Sequence, residues 1–462
     1  MQHLGIDIGS SYIKGAVLDA DGFQLRHVER LAAPEPVPGL EPGFREIDPD
    51  TLVSGVVAML ERLADRCPEA SGVLVSSQLH GLVLCDARGQ ALRRCITWQD
   101  RRALTPDPAG GPNAFEELER LVTPEGRVQL GNERVPGLPL NALYWGARHR
   151  GWKVADTLPA AIPYYVVSRL CRSEIVSDIT HAHAMGALDV RSLTWHRDVI
   201  GRLGLDGVRW PRLVPQGAVV GEWRHRGRTL PVHAPVGDYH CSQVGTLLEP
   251  GEISVNVSTG SAVIRIADGC ELGDFQTRPW FDGRHLATVT HLPGGRALQA
   301  LVGLLTELAS AQGMTLGDPW AYIQSEASRA GSGGLVVDPA FYPGNRGDRG
   351  SVLGLREENM NVGNLFHATL DGMAGNYAEV AERLCPDPAG RRLVFSGGVA
   401  LKTELLRRRV QERLGGTHRL APTDEDTLLG LLVLSLAFSG RSASVRDAIG
   451  SARDHFQRQP RH

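Results

Sequence analysis

A chain of 462 residues is too long for one small module and, at roughly 100–200 residues per folding unit, should form two or three domains. With 42% hydrophobic and 22% charged residues, 54 Gly and 28 Pro, it has the composition of a turn-rich globular protein, which excludes disordered and fibrous classes. Forty-nine Lys and Arg against 52 Asp and Glu leave a formal charge of −3, so no overall positive field exists to gather nucleic acid or an anionic membrane surface.

From the N-terminus, L-G-I-D-I (4–8) alternates apolar and polar, Gly9-Ser10-Ser11 makes a turn, Ile13 to Leu18 forms a second strand, and Asp19-Ala20-Asp21-Gly22 closes it. Residues 34–43, rich in Pro and Gly, read as an extended surface loop; Asp48-Pro49 opens a helix to about Arg66; Gly72 to Ser76 is a strand. Pro106 to Pro112 is expected to be a flexible surface segment. Strand, loop and helix then alternate, which points to α/β layers around mostly buried sheets. The helix near Thr427 to Ser439 is apolar on most faces and should be buried, and the polar end from Asp454 should fray. Seven scattered Cys without a C-x-x-C fit reduced thiols better than disulfides or a zinc knuckle. The absence of a basic n-region before Leu4 and of an apolar run of bilayer length point to a soluble, cytoplasmic protein.

One segment echoes another. I-S-V-N-V-S-T-G-S-A-V-I-R-I-A-D-G (253–269) repeats the N-terminal pattern of strand, small-residue turn, strand and closing Asp-Gly, with Asn256 in the place of Asp7. Two copies point to two related domains that each begin with the same hairpin.

The candidate chemistry gathers at these turns. Gly, Ser and Thr fill many hairpin turns for steric reasons alone, but a pair of such turns offers backbone N–H groups and hydroxyls to phosphate oxygens. With Ile6 and Ile8 facing the core, Asp7 points to the mouth of its turn; beside phosphate an anion needs a cation between, which makes Asp7 either a Mg²⁺ partner or a turn-stabilising Asp. In R-L-V-F-S-G-G-V-A-L-K (392–402), Gly397 and Gly398 allow a flat ligand such as a purine close to the backbone, although strand-Gly-Gly-helix is common in α/β proteins. None of the three Lys follows a Gly, which excludes a Walker A loop. Asp238, where a short strand meets a helix, is an N-cap or a general base for a hydroxyl attacking a γ-phosphate. Gln78 and His80 end one strand and Trp98, Asp100 and Arg101 another, a set of polar groups and an indole suited to a polyol. His181 and His183, read as alternate residues of one strand, lack a third metal ligand and are taken as structural.

This ordered set resembles the FGGY carbohydrate kinases of the actin-like ATPase superfamily over nearly the whole chain. D-I-G-S-S-Y-I-K resembles the first phosphate motif, S-S-Q-L-H-G the sugar-contacting strand end, G-D-Y-H-C-S the catalytic-Asp segment, S-T-G-S the second phosphate motif, and S-G-G-V-A-L the adenosine motif. T-W-Q-D-R, Y-Y-V-V-S-R-L-C, G-D-Y-H-C-S and A-L-K-T-E-L-L-R-R-R-V-Q are each similar to the sedoheptulokinase branch. The resemblance implies an α/β fold of two actin-like (ribonuclease H-like) domains with a duplicated core and an interdomain cleft. It implies ATP-dependent phosphorylation of a ketose at its terminal primary hydroxyl, with Asp238 as base and Asp7 and Asp238 near Mg²⁺. It further implies sugar contacts from Gln78, His80, Trp98, Asp100, Arg101 and Tyr239, and nucleotide contacts from Gly9, Ser10, Ser11, Lys14, Thr259, Gly260, Gly294, Gly295, Gly397, Gly398 and Lys402. Ser10, Ser77 and Lys402 depart from the commoner Thr, Gly and Asn of the family.

The expected organisation is a sugar-binding domain over 1–243, an ATP-binding domain over 244–441 and a polar tail over 442–462. The partner is a small-molecule sugar, with no nucleic acid or membrane, and the protein is a monomer or homodimer. A kinase for another ketose or polyol such as xylulose is the alternative within the class; a nucleotide-gated interaction protein of actin or chaperone type is the alternative outside it.

Overall fold

The computed structural model describes residues 1–107, 110–387 and 390–458. Pro108 and Ala109, within the expected flexible segment, and residues 459–462 of the expected tail lie outside the described residues. The chain packs as two compact units: Met1–Leu247 with Asp268–His285 and everything from Glu425 onward, and Leu248–Ala267 with Leu286–Asp424. The first division thus falls at 247/248, near the expected 243/244, but the expected continuous region 244–441 is interrupted, since Asp268–His285 and the chain from Glu425 belong to the first unit.

In the first unit a sheet runs in the order Val219–His225, Arg228–His233, Val73–Ser77, Gln2–Ile8, Tyr12–Asp19, Gln24–Ala32, with Val236–Gly237 also against Val73–Ser77. The first hairpin pairs Ile6 with Gly15 and Asp7 with Lys14, and residues so paired share a face. Gly15 lies so close to Met59 that a Cβ would stand 2.7 Å from its Cγ, and Ile13 approaches Gly55, so Ile6, Ile8, Ile13 and Gly15 face the helix Pro49–Arg66. Asp7 and Lys14 therefore face the other side, as the alternation predicts. There Lys14 meets Glu425, just before the helix Asp426–Phe438. That helix is apolar all round and buried along Leu428–Leu436, the expected state for such a sequence. The Pro49 helix starts on Asp48, whose carboxylate accepts from Thr51 N at 2.7 Å.

A helix, Val445–Arg458, stands where a polar tail is expected. Val445, Ala448, Ile449 and Ala452 recur at helical spacing and are buried, while the charged residues cover the opposite face. Its polar composition concealed a narrow apolar stripe.

In the second unit the strand Glu252–Val257 pairs antiparallel with Ser261–Ala267 and parallel with Arg392–Ser396, which pairs in turn with Thr417–Leu420. Gln2–Ile8 is flanked in the same way, antiparallel to Tyr12–Asp19 and parallel to Val73–Ser77. The echo is thus a duplicated core and extends to register: Asp7 lies beside Ser76, and Asn256 beside Ser396. No disulfide links the seven Cys among the described residues, and no helix there is long and apolar enough to cross a membrane.

Candidate functional site

Asp238 is the first residue of the helix Asp238–Gly245, directly after the short strand Val236–Gly237. Gly237 occupies the cap position, so Asp238 is not the N-cap; its Oδ1 accepts from Tyr239 N at 2.7 Å. Burial pushes its carboxyl up to about 7, and the negative charge of Asp7 adds to the rise. Asp7 is 7% exposed and its Oδ1 has no hydrogen-bond partner. Burial raises it to about 6, with Lys14 pulling the other way. Asp426, at the start of its helix, is likewise raised to about 6 by burial, with Asp7 contributing, while its Oδ1 accepts from Thr427 N at 2.8 Å. Three carboxylates from sequence positions far apart thus share one electrostatic neighbourhood.

Opposite charge comes from Arg278. Its Nε donates to Glu133 Oε1 at 2.6 Å, and its guanidinium lies 4.3 Å from the centre of the Tyr239 ring. Glu133 also accepts from Gln276 Nε2 at 2.9 Å and lies 3.4 Å from His183 Nε2. Burial opposes ionisation of Glu133, but Arg278 and His183 hold it well below the usual carboxylate range. His80, half-buried with φ of +62°, is within electrostatic reach of Glu133. Asp238, Tyr239, His80 and Asp7 are therefore brought together.

The other sugar candidates divide. Gln78, beyond the strand Val73–Ser77, takes the carbonyl of Ile8 through its backbone N at 2.9 Å, and its buried Oε1 has no partner. With Gly9, Ser10, Thr97 and Gln99 it lines a small pocket. Trp98 is half-buried; Arg101 donates to the Trp98 carbonyl at 3.1 Å and borders a groove of about 670 Å³ along the loop 35–45. Asp100 departs from expectation. Oδ1 accepts from Arg102 N and Nε, Oδ2 from Arg45 N and Arg102 NH2, all at 2.7–2.9 Å, and the residue is 2% exposed. Its four acceptor directions are used, so it orders the loop rather than meeting a sugar hydroxyl.

In the first turn, Gly9 N donates to the Tyr12 carbonyl at 3.0 Å, and Ser10 and Ser11 are exposed. Lys14, an expected phosphate ligand, has its Nζ 2.8 Å from Glu425 Oε2.

The second unit builds its own site. Ser258 N bonds the Gly260 carbonyl at 3.0 Å, while Gly295 N and Arg296 N reach the carbonyls of Ser258 and Thr259 at 2.8 and 2.9 Å, docking the turn on the helix Gly295–Ala311. Tyr377 pins this junction: its hydroxyl lies 2.9 Å from Ser261 Oγ and donates to the Pro293 carbonyl at 2.6 Å. Gly294 leaves no room for a side chain, since a Cβ would stand 2.6 Å from Ser261 Oγ. Gly397 has φ of +83°, and a Cβ there would lie 2.5 Å from both Ser258 Oγ and the Val257 carbonyl. Gly260 and Gly398 face open space. Beside the turn a groove of about 610 Å³ is lined by Ser258, Thr259, Gly295, Arg296, Gln299, Ala300, Trp320 and Val399, a size suited to a nucleotide. Lys402 is exposed at the end of the short helix Gly398–Lys402.

Residues 2–239 match the model of the N-terminal domain of the FGGY family of carbohydrate kinases, just over half of the chain. The protein belongs to this family. It is 25% identical to the gluconokinase of Bacillus subtilis (strain 168), over 98% of this chain and 91% of the relative. It is 22% identical to the sedoheptulokinase of Mus musculus, over 88% and 92%. The fold matches that of a ligand-bound xylulose kinase from Lactobacillus acidophilus with a TM-score of 0.81 and 16% identity, covering 99% of this chain and 96% of that one.

Several residues of this FGGY kinase escape sequence reasoning. Arg278 and Glu133 lie in no recognisable motif and meet only in the fold. Asp426 stands in a helix whose apolar run draws the eye instead. Arg296, over the Tyr342 ring at 4.6 Å, borders the groove without any sequence signal beyond the preceding Gly294-Gly295. His181 and His183 lie on a helix, Ile179–Ala184, not on a strand, so their side chains diverge. His183 goes to Glu133 and His181 Nδ1 lies 3.3 Å from Asp178. The sequence also contains His196-Arg197-Asp198, the tripeptide of a protein-kinase loop, but Asp198 pairs with Arg202 on the exposed face of the helix Arg197–Arg202 and no Asn follows at the required spacing.

Proposed function

We propose that this carbohydrate kinase transfers the γ-phosphoryl group of ATP to the terminal primary hydroxyl of a ketose, with sedoheptulose the preferred acceptor and Asp238 the general base. The observation that carries the reading is the placement of Asp238, a buried carboxylate on the first turn of its helix with Asp7 in its field and the Glu133-held Arg278 against its neighbour Tyr239. Burial and Asp7 raise its carboxyl, which makes it a stronger base for the alcohol proton as the oxygen attacks. His80, Gln78, Trp98 and Tyr239 would orient the acceptor on the first unit, and the glycine-lined groove of the second would take the nucleotide, in line with a sugar-binding region over 1–243 and a nucleotide-binding region over 244–441. Thr259 and Gly260 would meet the phosphates, and Gly9 to Ser11 would offer N–H groups and hydroxyls to the transferring group.

A divalent cation fits the residues present. The orphaned Asp7 Oδ1, with Asp238 and Asp426 near, is an excess of buried negative charge, although no ready-made cluster of three or more metal ligands exists among the described residues. This suits Mg²⁺, which takes one or two carboxylates and fills its shell with phosphate and water. Asp7, with Asp238 beside it, would hold the ion, which when bound neutralises triphosphate charge.

The sedoheptulose preference rests on the T-W-Q-D-R and G-D-Y-H-C-S motifs. Gluconate is the second reading, favoured by a relative named gluconokinase that covers 98% of the chain. The test is ADP release with Mg·ATP against sedoheptulose, xylulose, gluconate and glycerol, for wild type and Asp238→Asn. The reading expects a kcat/KM at least ~10-fold higher for sedoheptulose than for the others and a kcat loss of ~10²-fold or more in the variant. A preference for gluconate or xylulose overturns the acceptor, and a variant with unchanged turnover overturns the base.

A further inference from the structure

Two full charges, Arg278 and Glu133, are buried beside the candidate base at 3% and 8% exposure. Such a pair is expensive to desolvate and is often no more stable than an apolar replacement, so stability alone is a weak reason for it. The surrounding structure is built to hold it. The segment Asp268–His285, which contains the strand Gln276–Pro279 and with it Arg278, belongs to the first unit. Thr277 N donates to the Gly131 carbonyl at 3.0 Å, Asn132 Nδ2 to the Phe275 carbonyl at 3.2 Å, and His285 Nε2 lies 2.8 Å from the Val190 carbonyl. Gly131 can carry no side chain there, because a Cβ would come within 2.3 Å of the Thr277 carbonyl oxygen.

We infer that Arg278, clamped by Glu133, is a positioning residue for the Asp238 base. The clamp is a continuous series of contacts. Gln276 and His183 fix the Glu133 carboxylate, Glu133 fixes the guanidinium, the guanidinium covers the Tyr239 ring, and Tyr239 N bonds Asp238 Oδ1. A planar guanidinium held by a carboxylate and stacked on an aromatic ring has little freedom left, so it holds the first turn of the Asp238 helix in one orientation. Lys in its place would keep the charge and lose the fork and the stacking plane.

The inference rests on Asp238 being the base, and the experiment separates the two. Arg278→Gln, Arg278→Lys and Glu133→Gln are compared with the double variant Glu133→Gln/Arg278→Gln, by kcat, by KM for sugar and for ATP, and by melting temperature. Each neutralising single variant leaves a buried charge unpaired and should melt lower; the double variant should recover most of that loss. Turnover should not follow stability. Arg278→Gln and the double variant should both lose kcat by ~30-fold or more with KM for ATP unchanged, and Arg278→Lys should retain more activity than either. A double variant that regains both its melting temperature and a kcat within ~3-fold of wild type reduces the pair to a structural element and overturns the inference. Should the double variant not fold, Glu133→Asp decides: it keeps the charge but shifts the guanidinium, so a ~10-fold loss of kcat supports positioning and an unchanged kcat refutes it. If Asp238→Asn is inactive while the double variant is normal, the positioning role alone fails; if Asp238→Asn is active, the base assignment fails first.

Discussion

The two hairpins that open the two cores have the same neighbours and opposite chemistry. In the first, Asp7 sits at the register of Ser76, buried, with one oxygen unpartnered and with Asp238 and Asp426 in its field. In the second, Asn256 sits at the register of Ser396 and donates to its hydroxyl at 2.9 Å, its Oδ1 lying 3.4 Å from Ser258 Oγ. An amide can satisfy itself locally with one donor and one acceptor group, whereas a lone buried carboxylate cannot and calls for a cation or a proton. Duplication supplied one backbone twice, and at the matching register one copy carries a carboxylate with an unpartnered oxygen where the other carries a locally bonded amide.

The largest effect should come from erasing that difference. Asp7→Asn turns the first hairpin into the second; kcat should fall by ~10²-fold or more while the protein melts no lower than wild type, because a buried charge has been removed. Steady-state kinetics together with thermal unfolding checks both halves. Next, Gly397→Ala forces a Cβ against the second turn at a positive φ and should destabilise by ~2–3 kcal/mol in denaturant titrations, with a rise in KM for ATP. The converse exchange, Asn256→Asp, places an anion beside the proposed triphosphate turn and should weaken ATP binding by ~10-fold, read by calorimetry with a non-hydrolysable analogue.

A pH effect sharpens the same contrast. A base must act as an anion, so with Asp238 in the proposed role and raised to about 7, kcat/KM should fall on acidification through neutrality. For stability the sign is opposite: the folded state binds the proton more tightly than the unfolded chain, so the Asp238 contribution is favourable at low pH and is lost as pH rises towards 7. Asp238→Asn should therefore melt higher than wild type at pH 7.5, by ~2–4 °C, and the gap should close towards pH 5. Smallest of all, Gly260→Ala meets open space, so stability should stay within ~0.5 kcal/mol while KM for ATP rises if the turn approaches phosphate.

Much of this was legible in the amino-acid order, and for identifiable reasons. The hairpins, the helix behind Asp48-Pro49 and the strand–Gly397-Gly398–helix unit each carry local signals: alternation, a capping carboxylate, a Pro at the first turn, glycines where a Cβ cannot go. The orientation of Asp7 followed from the side-chain period of a strand. Local signals failed where a polar residue had two possible fates. Asp100 reads like a sugar contact until Arg45 and Arg102 are seen to use all its acceptor directions. His181 and His183 read as a strand pair, because three residues cannot distinguish a strand from one turn of helix.

What the sequence by itself determined is the family, the duplicated α/β core and the identity of the carboxylate candidates, since each depends on contacts between residues close in the chain or on a motif repeated within it. The tertiary structure alone decided which groups share a field with Asp238. Arg278 and Glu133 are 145 residues apart and Asp426 lies at the far end of the chain, and no local pattern records such pairings. Burial is likewise a property of the assembled fold, so the shift of Asp238 towards neutrality exists only once those distant segments have closed around it.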